Sequence, residues 1–594
     1  MKLRPLVWKL IQYRPKYYVI SALIWNLFLI SALLPGLFTR AIFEKLPMGD
    51  IQSNSVFILI LLFVITSVFR YLTTYGAVAT EVTFQYLASA LIRKNIVNQI
   101  FKKPGARALN ISSGDAVSRF RDDVAQIINL ATDAPYVISQ FLFTIFALII
   151  MLKINWFIAL CVVVPVLTIV LVVHYSSKLI EKYRRLGRLA SGNVSEYLGE
   201  VFNSSLTIKV TGTEENFVKK LRNLNNIRRK AMRNDRLLNE LLNSFSSNTV
   251  NIGAGLMILA GSRAIQNGTF SIGDFTLFIN YLYYVTGLPV WLGRFLAQYK
   301  QTGVSMDRLQ EMTDIKSSLE LAEADERTST QINSQATIHE SEQLNEFEVC
   351  NLYYSHTPGR GIQNISFKLK RGSLTVITGE MGSGKTTLLR CVIGLLPLDK
   401  GSIYWNENKV EEPASHFSPL KTAYTPQVPH LFTDTIKDNI VMGRNLSEKK
   451  FRDAVQNAAL EDDLAMMAEH EETKVGPKGM MLSGGQIQRV AAARMFAQDA
   501  ELVIMDDVSS ALDIRTEEKI WERVLQNTES TFLVVTHRPY VLKRADHIIL
   551  LKDGKIHAEG NLEKLLDISP EMQQIWGENF EDQNSLNKGE RTNG

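Results

Sequence analysis

Six apolar segments, near residues 17–38, 56–80, 135–153, 156–175, 245–265 and 273–295, constrain this chain more than any other feature. Each is close to the roughly 20 residues an α-helix needs to cross hydrocarbon. Only helices and closed barrels satisfy their own backbone in that medium. The fifth segment is the weakest, diluted by Gly253, Gly255 and Gly261. The third and fourth are separated only by Lys153, Ile154 and Asn155, which reads as a tight hairpin. All six end by about Arg294, and the remainder has the charge density of a water-soluble protein. The mean composition, 46% hydrophobic and 21% charged, therefore averages two unlike halves. A chain of 594 residues also exceeds what one core supports, so at least two folding units are expected.

Orientation follows from basic residues near the segment ends. The N-terminus carries Lys2, Arg4, Lys9, Arg14 and Lys16. No cleavage site follows, and the first apolar stretch is long enough to span, so it reads as a membrane helix rather than a signal peptide. The loop over 81–134 carries Arg93, Lys94, Lys102, Lys103, Arg107, Arg119 and Arg121, and the loop over 176–244 adds Lys178, Lys182, Arg184, Arg185 and Arg188. The N-terminus and both long loops are thus expected inside. Apolar residues recur at helical spacing through both loops, which predicts membrane helices that run on past the bilayer and return. Arg70 falls within the second span, where a charge is costly and faces a cavity or a partner. With Tyr71, Tyr75, His174, Asn280, Tyr283 and Tyr284 it can line a pathway for an amphipathic or anionic cargo; the bland alternative is a neighbouring-helix contact.

Residues 311–345 are acidic and rich in Ser and Thr, and read as a linker. Beyond it, β-rich apolar runs alternate with helical patterns, predicting an α/β domain. Its decisive motif is Gly379-Glu380-Met381-Gly382-Ser383-Gly384-Lys385-Thr386, a G-x-x-x-x-G-K-[ST] phosphate loop. The motif follows the apolar run Leu374–Thr378 and opens a helix at Thr387. Its glycines let backbone N–H groups close around phosphates, Lys385 reaches the β- and γ-phosphates, and Thr386 offers a hydroxyl to Mg2+. A second apolar run, Leu502–Met505, ends in Asp506 and Asp507. An acid at the end of a buried strand is costly unless it meets a cation, so Asp506 is a candidate Mg2+ ligand. ATP and Mg2+ are the expected cofactors. The three scattered cysteines, Cys161, Cys350 and Cys391, have neither disulfide nor metal spacing. The small basic excess, net charge +5, belongs with lipid-facing loops, and no nucleic-acid partner is expected.

At Leu482-Ser483-Gly484-Gly485-Gln486 the chain resembles the ATP-binding cassette transporters, whose signature this pentapeptide matches. Gln427 matches the family's Q-loop, Ser510-Ala511-Leu512-Asp513 its D-loop, and His537 its switch histidine. The membrane half resembles the exporter type, with six helices N-terminal to the cassette. Gly114-Asp115, Arg119 and Asp122-Asp123-Val124 look like its first cytoplasmic loop; Glu200, Thr207 and Glu214-Glu215 like its second; Gly287-Leu288-Pro289, Ser305 and Asp307-Arg308 like the end of its sixth helix. The implied fold is a polytopic α-helical membrane domain (1–310), the linker, an α/β P-loop NTPase cassette (346–570) and a polar tail (571–594). The resemblance implies a half-transporter in a bacterial inner membrane, cassette in the cytoplasm. It would pair with a second half-transporter, identical or different, and export a hydrophobic or amphipathic cargo. It also implies that Ser483, Gly484, Gly485, Gln486 and Asp513 of one chain meet nucleotide held by Gly379, Gly382, Ser383, Gly384, Lys385, Thr386 and Thr387 of the other. Gln427 would join Thr386 and Asp506 at the metal, and Gln427, Asp507 and His537 would act in hydrolysis.

Three residues depart from that family's pattern. Asp507 stands where a glutamate general base is usual, short by about 1 Å, and misplacement on that scale costs about 100-fold in rate. His356 falls where an aromatic ring stacks on adenine, with Tyr353 or Tyr354 as substitutes. Pro477 replaces the usual glutamate ahead of the signature, where contact with the membrane half is expected. Slow hydrolysis at this chain's own phosphate loop is the consequence predicted from Asp507; a catalytically weak subunit of a heterodimer, or a nucleotide-gated channel, is the alternative.

Overall fold

In the computed structural model, the described residues are 3–45, 54–101, 103, 105, 111–315, 317–323, 343–357, 360–417, 421–476, 479–508, 512–526 and 530–577. They form two compact units, one of 1–98 with 111–324 and one of 99–110 with 325–594.

The first unit is helical. A short amphipathic helix, α1 (Leu3–Tyr13), buries Leu3, Leu6 and Leu10 and is followed by α2 (Pro15–Ser31) and α3 (Leu33–Lys45). The first apolar segment is therefore broken, at Ala32. Pro35 explains the break, because its ring nitrogen cannot donate to the carbonyl one turn back. Next come α4 (Asn54–Phe101), α5 (Ser113–Ser118), a π-helical turn over Arg119–Asp123, and α6 (Val124–Ile154). Asn155 alone separates α6 from α7 (Trp156–Asn203), and its Oδ1 accepts from the N–H groups of Phe157 and Ile158 to cap α7. The predicted hairpin is thus as tight as one residue allows. Then follow α8 (Ser205–Thr211), α9 (Glu214–Gln266), α10 (Ile272–Val285) and α11 (Gly287–Thr313). The sixth segment breaks at Thr286, three residues ahead of Pro289, for the same reason as the first.

Helices α4 and α7 are each 48 residues long and α9 is 53. At 1.5 Å per residue, 48 residues reach about 72 Å, more than twice a hydrocarbon thickness of about 30 Å. The spans do continue far past the membrane, as the loop periodicity predicted. Among the described residues, Pro15–Lys45, Asn54–Phe101, Gly114–Ile154 and Ile272–Thr313 are long and apolar enough to cross. The other two predicted spans fall inside α7 and α9.

The end of this unit corrects a boundary. Residues 311–323 were expected to be linker, but α11 continues to Thr313 and a 3-10 turn, Ser318–Ala322, buries Leu321 and Ala322. Lys9 of α1 donates to the Leu319 carbonyl and pairs with Glu323, while Asn95 of α4 donates to the carbonyls of Leu321 and Glu323. A buried Asn side chain meeting these carbonyls holds the segment down.

The second unit carries two sheets. One is antiparallel, in the order β2-β1-β4-β5, with β1 Glu346–Thr357, β2 Arg360–Lys370, β4 Lys400–Trp405 and β5 Asn408–Lys409. The other has the order β10-β9-β3-β8-β7-β6, where β3 is Leu374–Thr378, β6 Thr422–Thr425, β7 Leu502–Asp506, β8 Thr531–Val535, β9 His547–Lys552 and β10 Lys555–Gly560. Its strands are parallel except for the β9–β10 pair. Every residue of β3, β7 and β8 is buried, which is why each reads as an unbroken apolar run rather than an alternating one.

Candidate active site

The central strands deliver the chemistry to one edge. In an open parallel sheet, polar groups gather beyond the carboxyl ends of the strands, where chain turns leave N–H groups and side chains unspent. Here β3 ends in the phosphate loop, β6 leads to Gln427, β7 ends in Asp506, and β8 leads to His537.

The loop from β3 into the helix Lys385–Val392 requires glycine twice. Gly379 has φ 141°, and a Cβ there would collide with the Leu551 carbonyl. Gly384 has φ 100° and begins the helix. Gly382 (φ 84°) lies between them in open space. Lys385 Nζ donates to the carbonyl oxygens of Gly379 (2.7 Å) and Glu380 (2.9 Å), so the ammonium is held over the loop. Burial pushes its pKa down, opposed by the nearby carboxylates of Asp507 and Asp506. Thr386 Oγ1 donates to Asp506 Oδ1 at 3.1 Å. Asp506 is 1% exposed, and its Oδ2 has no hydrogen-bond partner in its buried position; Ser383 Oγ is likewise unsatisfied. Burial pushes the Asp506 carboxyl above the usual carboxylate range. A buried carboxylate oxygen left unpaired beside a hydroxyl is a donor set that fits a hard divalent cation, so Mg2+ suits these residues.

Asp507 follows in the left-handed region, φ 52°, which a short acidic side chain tolerates. Its Oδ2 accepts from Gln427 Nε2 at 3.4 Å. His537 Nδ1 pairs with Thr378 Oγ1 at 2.9 Å, fixing the ring against the end of β3. Burial, then the charge on Lys385, push the His537 pKa below its ordinary value. Lys385, Thr386, Asp506, Asp507, Gln427 and His537 are therefore assembled along one strand edge. Thr387 belongs to the same helix start.

The signature residues form a separate place. Ser483 caps the helix Gly484–Phe496: its Oγ accepts from Gln486 N–H, and Gln486 Oε1 accepts from Ser483 N–H. Gln486 Nε2 donates to Asp463, whose carboxylate also takes both Nε and Nη2 of Arg489, at 2.7 and 2.9 Å. The Gln486 side chain is thus occupied in building the helix start. Ser483 and Gly484 are exposed. Among the described residues, no hydrogen bond joins this segment to the phosphate loop. Asp513 is taken up in capping: its Oδ1 accepts from Thr516 N–H at the start of the helix Ile514–Gln526.

Tyr354 does not suit the stacking role expected of it. It is 3% exposed, packed in the core beneath the antiparallel sheet, with its hydroxyl 3.2 Å from His356 Nδ1. Strand alternation turns Leu352 and Tyr354 inward on β1 and leaves Tyr353 half-exposed. His356 follows Tyr354 on the same face, against its ring, and is exposed because β1 ends one residue later. Pro477, Ser510 and the His174 side chain lie outside the described residues.

In the membrane unit, two distant motifs meet. Arg308 pairs with Asp115 (2.9 Å) and Asp123 (3.2 Å), Ser305 donates to Asp123 (2.7 Å), and Arg119 pairs with Asp115 and Glu311 (both 2.9 Å). Arg119, then Arg308, hold the Asp115 carboxyl below the usual carboxylate range. The π-helical turn carries buried Arg119 and Asp123 into this cluster. Sequence reasoning missed Thr378, Asp463, Arg489 and Glu311. A polar residue closing an all-apolar strand was the one available signal, and it marked Thr378.

Comparison with known proteins agrees with this arrangement. Residues 19–288 match the family described as the ABC transporter transmembrane region, and 362–510 match that described as ABC transporter. The chain is 27% identical over 522 residues to a multidrug resistance-like ATP-binding protein MdlA of Buchnera aphidicola, covering 86% of each chain. It is 26% identical over 510 residues to an ATP-dependent lipid A-core flippase of Alcanivorax borkumensis, covering 83% of each. Its fold superposes on a bacterial Atm1-family ABC exporter with ATP bound, with a TM-score of 0.75 over 95% of this chain and 99% of that one, at 19% identity.

Proposed function

The chain belongs to the ABC transporters, with the membrane region and the ATP-binding cassette fused as in half-transporter exporters, and on that premise we propose that it works as one half of a dimer. It is an ATPase coupled to transport. The proposed cargo is an amphipathic small molecule, lipid or peptide, in keeping with the multidrug and lipid A-core names of its relatives. The proposed setting is a bacterial inner membrane with the N-terminus and cassette inside, which the basic loops favour.

The observation that carries this reading is the contrast between an assembled phosphate-loop edge and an exposed signature that touches none of it. A nucleotide held at the first would be closed over by the second only if the two come from different chains. Gly379, Gly382, Ser383 and Gly384 would present N–H groups to the phosphates, and Lys385 would turn from the loop carbonyls to their negative charge. Thr386, the free Oδ2 of Asp506 and the Gln427 carbonyl are the groups that would hold Mg2+, which when bound neutralises charge between the β- and γ-phosphates. Asp507 would accept a proton from the attacking water, and His537, steadied by Thr378, would face the γ-phosphate. His356 or the half-exposed Tyr353 would supply the ring that meets adenine.

Asp507 is one methylene short of a glutamate, so this chain's own site would turn over slowly. That observation also favours a second reading, in which the chain pairs with a different half-transporter whose base is full length. The test is ATP turnover by the purified chain alone in lipid nanodiscs, beside Asp507→Glu and Lys385→Ala. Negligible turnover that Asp507→Glu raises by up to about 100-fold supports the slow site. Ordinary turnover that Asp507→Glu leaves unchanged and Lys385→Ala abolishes overturns it and favours a working homodimer.

A further inference from the structure

Arg70 sits on α4 within a membrane span, yet no carboxylate pairs with it among the described residues. What surrounds it is aromatic. Its guanidinium carbon lies 4.8 Å from the ring centre of Phe28 on α2 and 5.7 Å from that of Tyr284 on α10. One terminal nitrogen donates to the Tyr284 hydroxyl at 2.9 Å, and Nε is buried with no partner. Ring faces soften the cost of a buried cation, but they do not neutralise it. Arg70 is also only half-exposed and points between three helices of the bundle, so it is not reaching past them to an interface.

Arg70 is one end of a longer feature. From Phe28 the aromatic contacts continue to Trp25 (5.7 Å between ring centres), Tyr136 (4.9 Å) and Trp291 (4.6 Å), and Arg294 lies 4.9 Å over Trp291 at the far end. The rings of this run are half-exposed, with Phe28 and Tyr136 also resting against the core of the unit. Its two ends differ in charge balance. Near Trp291, Arg294 lies within electrostatic reach of Asp133. Midway, Trp25 Nε1 donates to Glu81 at 2.8 Å. Among the described residues, the charge stacked on Phe28 itself is Arg70.

We propose that this run is a cargo site for an amphipathic anion, whose phosphate or carboxylate head meets Arg70 and whose apolar body lies along Phe28, Trp25 and Tyr136. The inference rests on the exporter reading and adds the sign of the cargo's charge. A planar guanidinium with a free Nε offers the paired donors that recognise an oxyanion. Such a head could arrive on a soluble amphiphile or on an anionic phospholipid; the chemistry is shared.

The test measures equilibrium binding without ATP, from tryptophan fluorescence of the full chain in phosphatidylcholine nanodiscs. Dodecyl phosphate and dodecyltrimethylammonium are matched probes of opposite charge, and a second set of discs containing phosphatidylglycerol distinguishes the phospholipid source. Dodecyl phosphate should bind in preference to the cation. Arg70→Gln should weaken it by about tenfold or more, as loss of a charged hydrogen bond implies, with Arg70→Lys between. If phosphatidylglycerol competes with dodecyl phosphate, bilayer lipid reaches the same site; if not, the soluble amphiphile is the occupant. Tyr284→Phe guards against misfolding of the arginine variants, since it keeps the charge and frees a donor, and should retain anion binding. Equal binding of both probes, or dodecyl phosphate binding unchanged in Arg70→Gln, overturns the proposal. Binding that persists while neither probe alters ATP turnover of the Asp507→Glu chain would instead count against the exporter reading and leave the site standing.

Discussion

The phosphate loop and the signature segment of the cassette are built in opposite ways. At the phosphate loop, polar groups are buried and left wanting: Asp506 Oδ2 and Ser383 Oγ have no partner, and the Lys385 ammonium rests on loop carbonyls. At the signature, the side chains answer one another. Ser483 and Gln486 close a capping box, and Asp463 satisfies both Gln486 and Arg489. The first region stores an unmet electrostatic demand that a magnesium-bound triphosphate would fill. The second is a finished surface whose helix N-terminus is exposed. On the proposed reading, a region that needs a ligand would meet, across two chains, a region that offers a preformed face.

The sharpest way to break this comparison is at the lysine. In the Asp507→Glu background, where turnover is measurable, Lys385→Ala should lower it by about 100- to 1000-fold, the usual cost of one electrostatic donor at a transferring group. Ser483→Arg should do the same without touching the phosphate loop. Co-reconstituted, the two variants should regain part of the turnover, because one mixed site would then join an intact loop to an intact signature. Failure to recover any would mean the two regions serve the same chain.

A smaller effect should follow from Asp463→Ala. Asp463 and Arg489 are only 14% and 12% exposed, and removing one partner of such a pair strands the other charge. Cassette stability should fall by about 2 kcal/mol, the cost of leaving a largely buried donor unsatisfied, and turnover should fall with it, while nucleotide binding at the phosphate loop is kept. Measured by thermal unfolding and by ATP-analogue binding, equal loss of both would show that the signature is not a separate structural unit.

Asp506→Asn should move stability the other way. Burial raises the Asp506 carboxyl, so its ionised form penalises the native state at pH above the usual carboxylate range, and that penalty fades as pH falls. Without nucleotide or Mg2+, the asparagine variant should unfold about 1 kcal/mol later at neutral pH, yet hydrolyse no ATP. A variant less stable than the parent would mean the acid is already satisfied, and the contrast between the two regions would weaken.

How far each region was legible follows from how local its physics is. The phosphate loop could be read because its donors are consecutive residues, with glycines whose φ values only glycine tolerates. Asp506 could be read because an acid closes an apolar strand. Asp463 could not: it sits in an acidic helix start, and its partners Gln486 and Arg489 arrive from elsewhere in the chain. Tyr354 was legible in principle, since alternation from Leu352 turns it inward, but its ring suits a stacking role that its place on the strand forbids. The proline breaks at Ala32 and Thr286 were written in Pro35 and Pro289, yet hydropathy windows average over them. Residues 311–323 read as linker from their acidity, and order there comes from Asn95 and Lys9, which lie far away in sequence.

The smallest effect expected is on pH. His537 is held by Thr378 and pushed below its ordinary pKa by burial and by the Lys385 charge. The free protein should therefore keep a neutral ring at pH near the ordinary value of about 6.5. In that window the unfolded chain binds the proton more readily, so stability from this group rises with pH and is lost as pH falls through the depressed native value. The acid limb of kcat/KM, which reports the unliganded site, should accordingly lie below the ordinary histidine value. Replacing Lys385 with methionine would be uninformative for turnover but not for titration: removing the neighbouring charge should bring the His537 value back up, as read by NMR of the labelled ring. A ring that titrates at its ordinary value in the parent, unmoved by that substitution, would mean that His537 is solvated, and that the phosphate-loop region is less sealed than its buried carboxylate suggests.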